Sequence, residues 1–428
     1  MQLSIRECAV GRTIFEVPSC YLYLVTKVPL ASTGFRQIEI DAVNRVMSSG
    51  NLTMGSEVAA FESEMAEYLG VSHFVMVNSG SSANLLMIEA LLRPSQGKGL
   101  ATTGDGVLVP AIAWPTTIWP IIQLGLRPVF VDVDSNTLAM DLSKAEEAIR
   151  KFDGKVSGIF PIYPLGLALD DEAFGSFANQ FKLNLLNDVC ESLGAWIGNH
   201  HAGTQGRMAS FSFYFSHHIT TMEGGGIATN ELSLANDLRS MRSHGWSRDR
   251  TDSQDWHQGY SESDSKFVFV TTGYNVRPME IQAAAGREQL KSLESFVNRR
   301  REIVERLHQA LDGTALRIIG YENFLANPRS HSWMLVPIQI AFSKGKRRQV
   351  LLESLAELNI ETRPVLTGNF LSQPAMKRIG PDAINPDDFP QATRIAETSF
   401  LVSCHHDLTA GQISHLCESL RRLALTLL

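Results

Sequence analysis

Short runs of apolar residues recur along the chain, and segments with helical spacing of apolar positions separate them. The runs predict strands over residues 73–77, 107–109, 128–133, 157–162, 183–189, 208–215 and 226–229. Apolar strands that alternate with helices indicate a mainly parallel α/β sheet that is covered on both faces. Ligands of such sheets bind at the carboxyl ends of the strands, where the segments with Ser81, Asp188 and His217 lie.

Apolar residues at three- and four-residue spacing predict the helices. One helix is expected from Gln37, and Gly70 ends a second one. A long helix from about residue 280 keeps an apolar face until Gly313, formed by Leu290, Leu293, Val297, Val304, Leu307 and Leu311. The rest of the chain predicts a smaller α+β domain, with a strand over 333–341 and helices over 348–358 and 410–427.

Length and composition bound the organisation of the chain. With 428 residues, of which 44% are apolar, it can bury a large core and should form two domains. We expect an extension over residues 1–28, a large domain over 29–285, and a bridging helix with a small C-terminal domain over 286–428. The net charge of -7, without a basic block, argues against a nucleic-acid partner.

Cysteines and charges bear on location. The cysteines show neither paired nor metal-ligand spacing, which predicts a reduced, cytoplasmic protein without a metal site: Cys8, Cys20, Cys190, Cys404 and Cys417. Charges at Arg6, Glu7 and Arg12 interrupt the first apolar residues, so no secretory signal is expected. The uncharged stretch over 106–126 could span a membrane, but its regularly spaced prolines predict a buried strand, a loop and a helix start instead.

The candidate site is the stretch over residues 210–226, which reads SFSFYFSHHITTMEGGG. It begins with a period-2 pattern that places Phe211, Phe213 and Phe215 on one face of a strand. Two histidines, a glutamate and three glycines follow, which favours exposed polar groups and close backbone approach over packing. A buried strand with a capped turn would also explain a lone histidine pair.

The stretch resembles the lysine-bearing segment of the DegT/StrS-type nucleotide-sugar aminotransferases, which use pyridoxal 5'-phosphate (PLP) and have the α/β architecture of PLP fold type I. His217 stands where those enzymes carry the lysine. A histidine-bearing branch of the family, the 3-dehydratases that make 3,6-dideoxysugars, has a similar motif to His217, His218, Ile219 and Thr220. The resemblance extends over about residues 29–428.

The resemblance implies which residues hold PLP or its amine form, pyridoxamine 5'-phosphate (PMP). Asp188 closes an apolar strand, where a carboxylate is costly to bury unless it pairs with a cation such as the protonated pyridine nitrogen. Capping of the next helix is the alternative. Glu191 would lie near the cofactor oxygen, and Trp114 matches the aromatic residue that stacks on the ring, although core packing would also explain it.

Gly80, Ser81 and Ser212 resemble the phosphate-binding residues of the family. The order of strand, small residues and helix around Gly80 directs backbone N–H groups at a phosphate, although many α/β turns are rich in Ser and Gly. Asn275 resembles an asparagine that relatives extend to the phosphate of the neighbouring subunit. This implies a homodimer with shared active sites.

His217 decides the implied reaction. A lysine would bond covalently to the cofactor, whereas imidazole cannot hold it in that way but can move protons near neutral pH. Non-covalently bound PMP would condense with a 4-keto-6-deoxy sugar nucleotide, and loss of the C3 hydroxyl would follow in place of amine transfer. L-Glutamate would restore PMP.

The cysteines distinguish two groups of these dehydratases. One group binds an iron–sulfur cluster through cysteines before a Gly-Tyr-Asn motif, but residues 243–272 contain no cysteine, so no cluster is expected. The chain looks more like the cluster-free enzymes, which favours a GDP-linked substrate. Arg363 and Asn369 match that group, and with His218 they are candidate substrate-binding residues. Arg363 could bind a carboxylate or a diphosphate, or form an ordinary surface ion pair.

Three features depart from the family pattern: Phe215–Ser216, where Pro-Ala is more usual, Met222, and Cys404–His405–His406. Two other functions therefore stay open. One is an aminotransferase-like enzyme with other PLP chemistry, and the other is a non-catalytic binding or sensory protein that kept the fold.

Overall fold

A computed structural model describes residues 26–32, 34–341, 347–379 and 384–426, so most of the expected extension lies outside the described residues. The strands are β1 (His73–Val77), β2 (Gly106–Pro110), β3 (Arg127–Val131), β4 (Val156–Ile159), β5 (Asn184–Asp188), β6 (Trp196–Ile197), β7 (His200–His201), β8 (Met208–Ser212), β9 (Gly225–Thr229), β10 (Leu316–Ile318), β11 (Val336–Ile340) and β12 (Ser399–Val402). The helices are α1 (Gln37–Ser49), α2 (Ser56–Leu69), α3 (Gly80–Leu92), α4 (Pro115–Gln123), α5 (Leu142–Lys151), α6 (Asp171–Phe181), α7 (Leu232–Met241), α8 (Ser253–Trp256), α9 (Glu262–Ser265), α10 (Glu280–Leu290), α11 (Leu293–Leu311), α12 (Tyr321–Ala326), α13 (Arg347–Glu357), α14 (Pro374–Ile379), α15 (Pro390–Thr398) and α16 (Ala410–Leu425).

Within the described ranges, seven strands form one sheet in the order β1-β9-β8-β5-β4-β2-β3. The neighbours from β8 to β3 pair in parallel, whereas β9 runs antiparallel to both β8 and β1. The predicted mainly parallel sheet is therefore confirmed. Because β1, β5 and β8 run in the same direction, the residues that follow Val77, Asp188 and Ser212 meet at one edge.

Apolar side chains cover both faces of this sheet. In β1, Val75 and Val77 belong to a buried cluster that includes residues of α3, α4 and α7. The alternate residues Phe74 and Met76 belong to a second cluster, with residues of α2 and α6. Successive strand residues point to opposite faces, so the sheet is buried on both sides, as its continuous apolar runs predict.

A smaller antiparallel sheet has the order β10-β11-β12. A third buried cluster joins it to α11, α13 and α16. These elements lie within the range predicted for the small domain. The division at residues 285 and 286 itself stays a prediction.

The predicted strand over 208–215 is too long, because β8 ends at Ser212. The N–H of His217 donates to the carbonyl of Tyr214 at 3.0 Å and closes a turn in place of further ladder bonds. Phe211 and Phe213 are buried as predicted, but Phe215 is 41% exposed. The third aromatic residue of the alternating pattern therefore belongs to the loop that carries His217.

The single long helix predicted from about residue 280 is also wrong, because α10 ends at Leu290 and α11 begins at Leu293. The N–H of Ser292 donates to the carbonyl of Gln289 at 3.0 Å, which makes a tight turn between the two helices. Apolar residues keep the same spacing on both sides of the turn, so the sequence pattern does not reveal it.

The uncharged stretch over 106–126 contains β2 and α4, as its prolines predict. Pro115 occupies the first turn of α4, where its missing N–H costs no hydrogen bond. Across the described part of the chain, no helix combines the length and apolar character that a membrane crossing requires.

Candidate active site

A cavity of about 280 Å³ opens at the carboxyl edge of the large sheet. Its lining includes most of the residues singled out in the sequence, namely Gly80, Ser81, Trp114, Asp188, Glu191, Ser212, His217 and Arg363. These residues come from segments that are far apart in the chain. The structure thus brings together the groups expected around a cofactor in one concave site.

Three candidates lie away from this cavity. His218 has no exposed surface, which argues against the substrate contact expected for it. The side-chain amide of Asn369 donates to the carbonyl of Pro386 at 3.0 Å and to Thr393 Oγ1 at 2.9 Å. Asn275 is exposed, so its expected role in the site of a neighbouring subunit stays a prediction.

The first turn of α3 forms one wall of the cavity. Ser79 caps the helix, and its hydroxyl accepts the N–H of Ser82 at 3.1 Å. The positive end of the helix and its free N–H groups favour an anion such as a phosphate. Gly80 is required because a Cβ atom there would lie 2.7 Å from Ser212 Cβ and 2.9 Å from Cys190 Sγ.

The glycine run after Glu223 allows the close backbone approach that the sequence predicts. A Cβ atom on Gly225 would lie 2.4 Å from the backbone nitrogen of Gly80. On Gly226, it would lie 2.2 Å from the ring of Phe74. Strand β9 therefore passes directly beside the start of α3, and no larger residue fits at these two positions.

Asp188 is a buried carboxylate at the base of the cavity, with 5% of its surface exposed. Its Oδ2 accepts hydrogen bonds from Thr117 Oγ1 at 2.7 Å and from Asn84 Nδ2 at 2.8 Å. Both donors are neutral, and among the described residues no cationic side chain forms an ion pair with Asp188. A buried carboxylate of this kind is suited to a cationic ligand group such as a protonated pyridine nitrogen.

Trp114 and Glu191 complete the wall around Asp188. Trp114 is 50% exposed at the start of α4, and it lines the cavity as an aromatic residue. Glu191 Oε2 accepts the N–H of Leu165 at 3.0 Å, and its Oε1 lies 3.9 Å from a guanidinium nitrogen of Arg363. Burial raises the pKa of Glu191, and Arg363 opposes that shift.

His217 stands on the cavity wall as a neutral imidazole. Burial lowers its pKa to about 3, and the nearby guanidinium groups of Arg363 and Arg300 also contribute. At neutral pH the ring is therefore unprotonated and can accept a proton. Among the described residues that line the cavity, none is a lysine.

Seven histidines of the described chain, His73 among them, have a pKa below the ordinary 6.5, and burial is the first cause for each of them. The pKa is about 3 for His201, His217 and His406 and about 2 for His405. The pKa values of His218 and His331 are well below 6.5. The unfolded chain binds more protons below pH 6.5, so stability that is present above 6.5 falls as the pH decreases. Each group contributes a slope of up to about 1.4 kcal/mol per pH unit.

We therefore expect the thermal midpoint to fall steeply from pH 7 to pH 5, with uptake of several protons on unfolding. Scanning calorimetry across this range measures both quantities. The variant His201→Gln should reduce the slope. A midpoint that stays constant over this range would contradict the neutral state of the buried histidines.

The segment Cys404–His405–His406, which departs from the family pattern, overlaps a possible group of metal ligands. His405, His406 and Asp407 place their donor atoms within 4.8 Å of one another. However, the two imidazole rings are stacked, with centroids 4.2 Å apart and planes 28° apart, and His406 also stacks on Phe296. The lone pairs of imidazole lie in the ring planes, so stacked rings do not direct them at a common metal ion.

Sequence reasoning did not identify Asn84 and Thr117, the two residues that hold Asp188. Asn84 lies one turn after Gly80 in α3, and Thr117 lies in the first turn of α4 after Trp114. Their position close to motif residues in the sequence was the signal that could have identified them. Tyr214 and Glu223 also line the cavity and were not assigned a role.

Solved structures show the same architecture. The structure of an aminotransferase involved in the biosynthesis of pseudoaminic acid from Helicobacter pylori is 20% identical, with a TM-score of 0.80 over 94% of this chain and 100% of that chain. The GDP-4-keto-6-deoxy-D-mannose-3-dehydratase of E. coli with bound hydrated PLP is 34% identical, with a TM-score of 0.83 over 92% of this chain and 99% of that chain. The expected PLP fold type I is confirmed.

Sequence comparison agrees over nearly the whole length. The GDP-4-keto-6-deoxy-D-mannose 3-dehydratase of Yersinia pseudotuberculosis is 35% identical over 401 residues, which cover 93% of this chain and 99% of that protein. The protein of the same name from Escherichia coli O55:H7 is 37% identical over 345 residues, which cover 80% of this chain and 86% of that protein. The family model for the DegT/DnrJ/EryC1/StrS aminotransferases matches residues 35–421. The chain therefore belongs to the DegT/DnrJ/EryC1/StrS aminotransferase family.

Proposed function

We propose that this protein is a PLP/PMP-dependent enzyme that removes the C3 hydroxyl of a nucleotide-linked 4-keto-6-deoxyhexose. One observation carries the proposal. A neutral histidine, His217, stands on the cavity wall, and no lysine is found among the described residues that line it. Such a site can bind PLP or PMP and move protons but cannot bond covalently to the cofactor.

The residues of the cavity fit this cofactor. The first turn of α3, with Gly80 and Ser81, and the hydroxyl of Ser212 would hold its phosphate. Asp188 would pair with the pyridine nitrogen, because it is a buried carboxylate with only neutral donors. Trp114 offers the exposed face on which an aromatic ring can stack. When bound, the cofactor supplies an electron sink for bond cleavage next to the sugar ketone.

His217 contributes the proton chemistry. Because burial keeps its imidazole neutral at physiological pH, the ring can take up a proton and return it within the cavity. The carboxyl group of Glu191 adds a second polar group to the cavity wall, since it lies between Arg363 and the N–H of Leu165. This arrangement places His217 and a carboxyl group in the same cavity.

We infer a GDP-linked substrate and L-glutamate as the amine donor. The names of relatives support this inference: one solved relative, 34% identical, is a GDP-4-keto-6-deoxymannose-3-dehydratase with bound GDP-perosamine, and another, also 34% identical, contains a trapped PLP-glutamate geminal diamine. A homodimer with shared sites remains our proposal, supported by the exposed position of Asn275. A cytoplasmic location also remains a prediction, which agrees with the free thiols of Cys190, Cys404 and Cys417.

The test is incubation of the purified protein with PLP, L-glutamate and GDP-4-keto-6-deoxymannose. We expect 2-oxoglutarate and a sugar nucleotide that lacks the C3 oxygen, both followed by mass spectrometry. A 4-amino sugar as the final product would instead support aminotransferase-like chemistry. A protein that gives no cofactor spectrum after dialysis against PLP would be a binding or sensory protein, and the proposal would fail.

A further inference from the structure

Arg300, in α11, is a fully buried arginine that donates to backbone carbonyls and also interacts with the side chain of Cys404. It has no exposed surface, and among the described residues no carboxylate lies within ion-pair distance of it. Its Nη1 donates to the carbonyls of Met334 at 2.8 Å and Trp333 at 3.2 Å. Its Nη2 lies 3.4 Å from the carbonyl of His217.

A buried cation without a counter-charge is costly, so this arrangement needs a reason. The three carbonyls belong to two segments that both form the cavity, because Met334 and His217 line its wall. The guanidinium group is planar and offers donors in fixed directions, which suits it to hold two backbone segments at one spacing. A single arginine thus connects α11 to the loop of His217.

The backbone that Arg300 holds is strained. Trp333 is fully buried and has a φ of 53°, a left-handed conformation that is unfavourable for a bulky residue. Surrounding hydrogen bonds maintain it: the N–H of Met334 donates to the carbonyl of Leu165 at 2.9 Å. The N–H of Leu165 in turn donates to Glu191, so Arg300 is linked through the backbone to a second residue that lines the cavity.

We propose that Arg300 is a positioning residue that holds the His217 loop and the Trp333–Met334 segment together, and thereby fixes the imidazole relative to the cavity. The effect on turnover rests on the proposed dehydratase function. The positioning itself does not, because it concerns the geometry of the protein alone. The charge of Arg300 also contributes to the lowered pKa of His217, after burial and Arg363.

The neighbouring Arg301 provides a matched control. Its Nε donates to the carbonyl of His331 at 3.0 Å and its Nη1 to Asn298 Oδ1 at 3.0 Å, so it also holds backbone near the same segment. It makes no hydrogen bond with His217. Substitution of Arg301 therefore reproduces a loss of packing and backbone bonding in α11 without release of the His217 loop.

The test compares Arg300→Gln, Arg300→Lys and Arg301→Gln with the wild-type enzyme. We expect Arg300→Gln to reduce kcat by at least about tenfold with little change in KM, since a misplaced group lowers turnover more than binding. Arg300→Lys keeps the charge but not the paired donors of the guanidinium group, so its kcat should lie between those of Arg300→Gln and the wild type. It also allows the comparison to be made if Arg300→Gln does not fold. Arg301→Gln should change neither constant.

A second readout is independent of turnover. Histidine nitrogen shifts in the NMR spectrum of the protein without cofactor at pH 7 report the surroundings of the His217 ring, and the His217→Asn spectrum identifies its signal. We expect this signal to move in Arg300→Gln and to stay in place in Arg301→Gln. Equal kcat losses for both glutamine variants, or an unmoved His217 signal in Arg300→Gln, would overturn the proposal. If the wild type does not dehydrate, the proposed function fails while the NMR comparison still decides the role of Arg300.

Discussion

Replacement of His217 by lysine is expected to abolish C3 dehydration and to create a covalent bond between the protein and PLP. The neutral imidazole on the cavity wall is the proposed base, and loss of a positioned general base costs about 100- to 10,000-fold in rate. A lysine amine at the same position would reach the space that the imidazole occupies and react with the cofactor aldehyde. Borohydride reduction followed by mass spectrometry of the intact chain detects the new bond.

The matched control is His217→Asn, which removes the base but offers no amine. We expect it to bind PLP without a borohydride-stable adduct and to lose turnover to a similar extent. If either variant kept the wild-type rate of deoxygenation, the role given to His217 would be wrong. A borohydride adduct on the wild-type chain would show that another lysine holds the cofactor, and would contradict the proposed non-covalent binding.

Asp188→Asn is expected to weaken PLP binding and reduce turnover, each by about 100-fold or more. Removal of one partner from a buried ion pair costs about 3–5 kcal/mol, and the pyridine nitrogen would lose the carboxylate that keeps it protonated. The substitution is nearly isosteric, and the Asn84 amide and Thr117 hydroxyl can still contact the side-chain oxygen. Fluorescence titration with PLP and the steady-state rate measure the two effects.

Asp132 provides the control for this substitution. It follows β3 directly, is 8% exposed, and accepts the N–H groups of Gln391 and Ala392, both at 2.9 Å. It therefore resembles Asp188 as a buried aspartate after a strand, but it does not line the cavity. Asp132→Asn should lower the thermal midpoint without a change in PLP affinity. Equal PLP affinity for Asp188→Asn and the wild type would exclude the pairing with a cofactor cation.

Elements with strong local patterns were predictable from the sequence. The apolar runs located the strands of the large sheet, and Gly70 marked the end of α2, where it adopts a φ of 67°. The end of β8 was not predictable, because the alternation of phenylalanines continues to Phe215 after the ladder has stopped. The turn at Ser292 was not predictable for the same reason, because apolar residues keep their helical spacing across it.

In the site, the residues of the sequence motifs were predictable, whereas the residues that hold them in place were not. The resemblance located Asp188, Ser212 and His217 because these residues belong to local patterns that recur in the family. Asn84, Thr117 and Arg300 act through contacts between distant segments, and no spacing in the sequence shows that a side chain from one segment reaches another. The burial of His218 is likewise a property of the packing around it.

The contact between Gly225 and Gly80 also orders events during synthesis. The cavity wall at the start of α3 requires β9 to lie beside the first turn of that helix, and these glycines are separated by more than a third of the chain. A nascent polypeptide on the ribosome cannot complete this wall until residue 225 has left the exit tunnel, because long-range strand pairing follows synthesis of both partners. We therefore expect the coenzyme to bind late in synthesis, after the growing chain has assembled most of its large sheet.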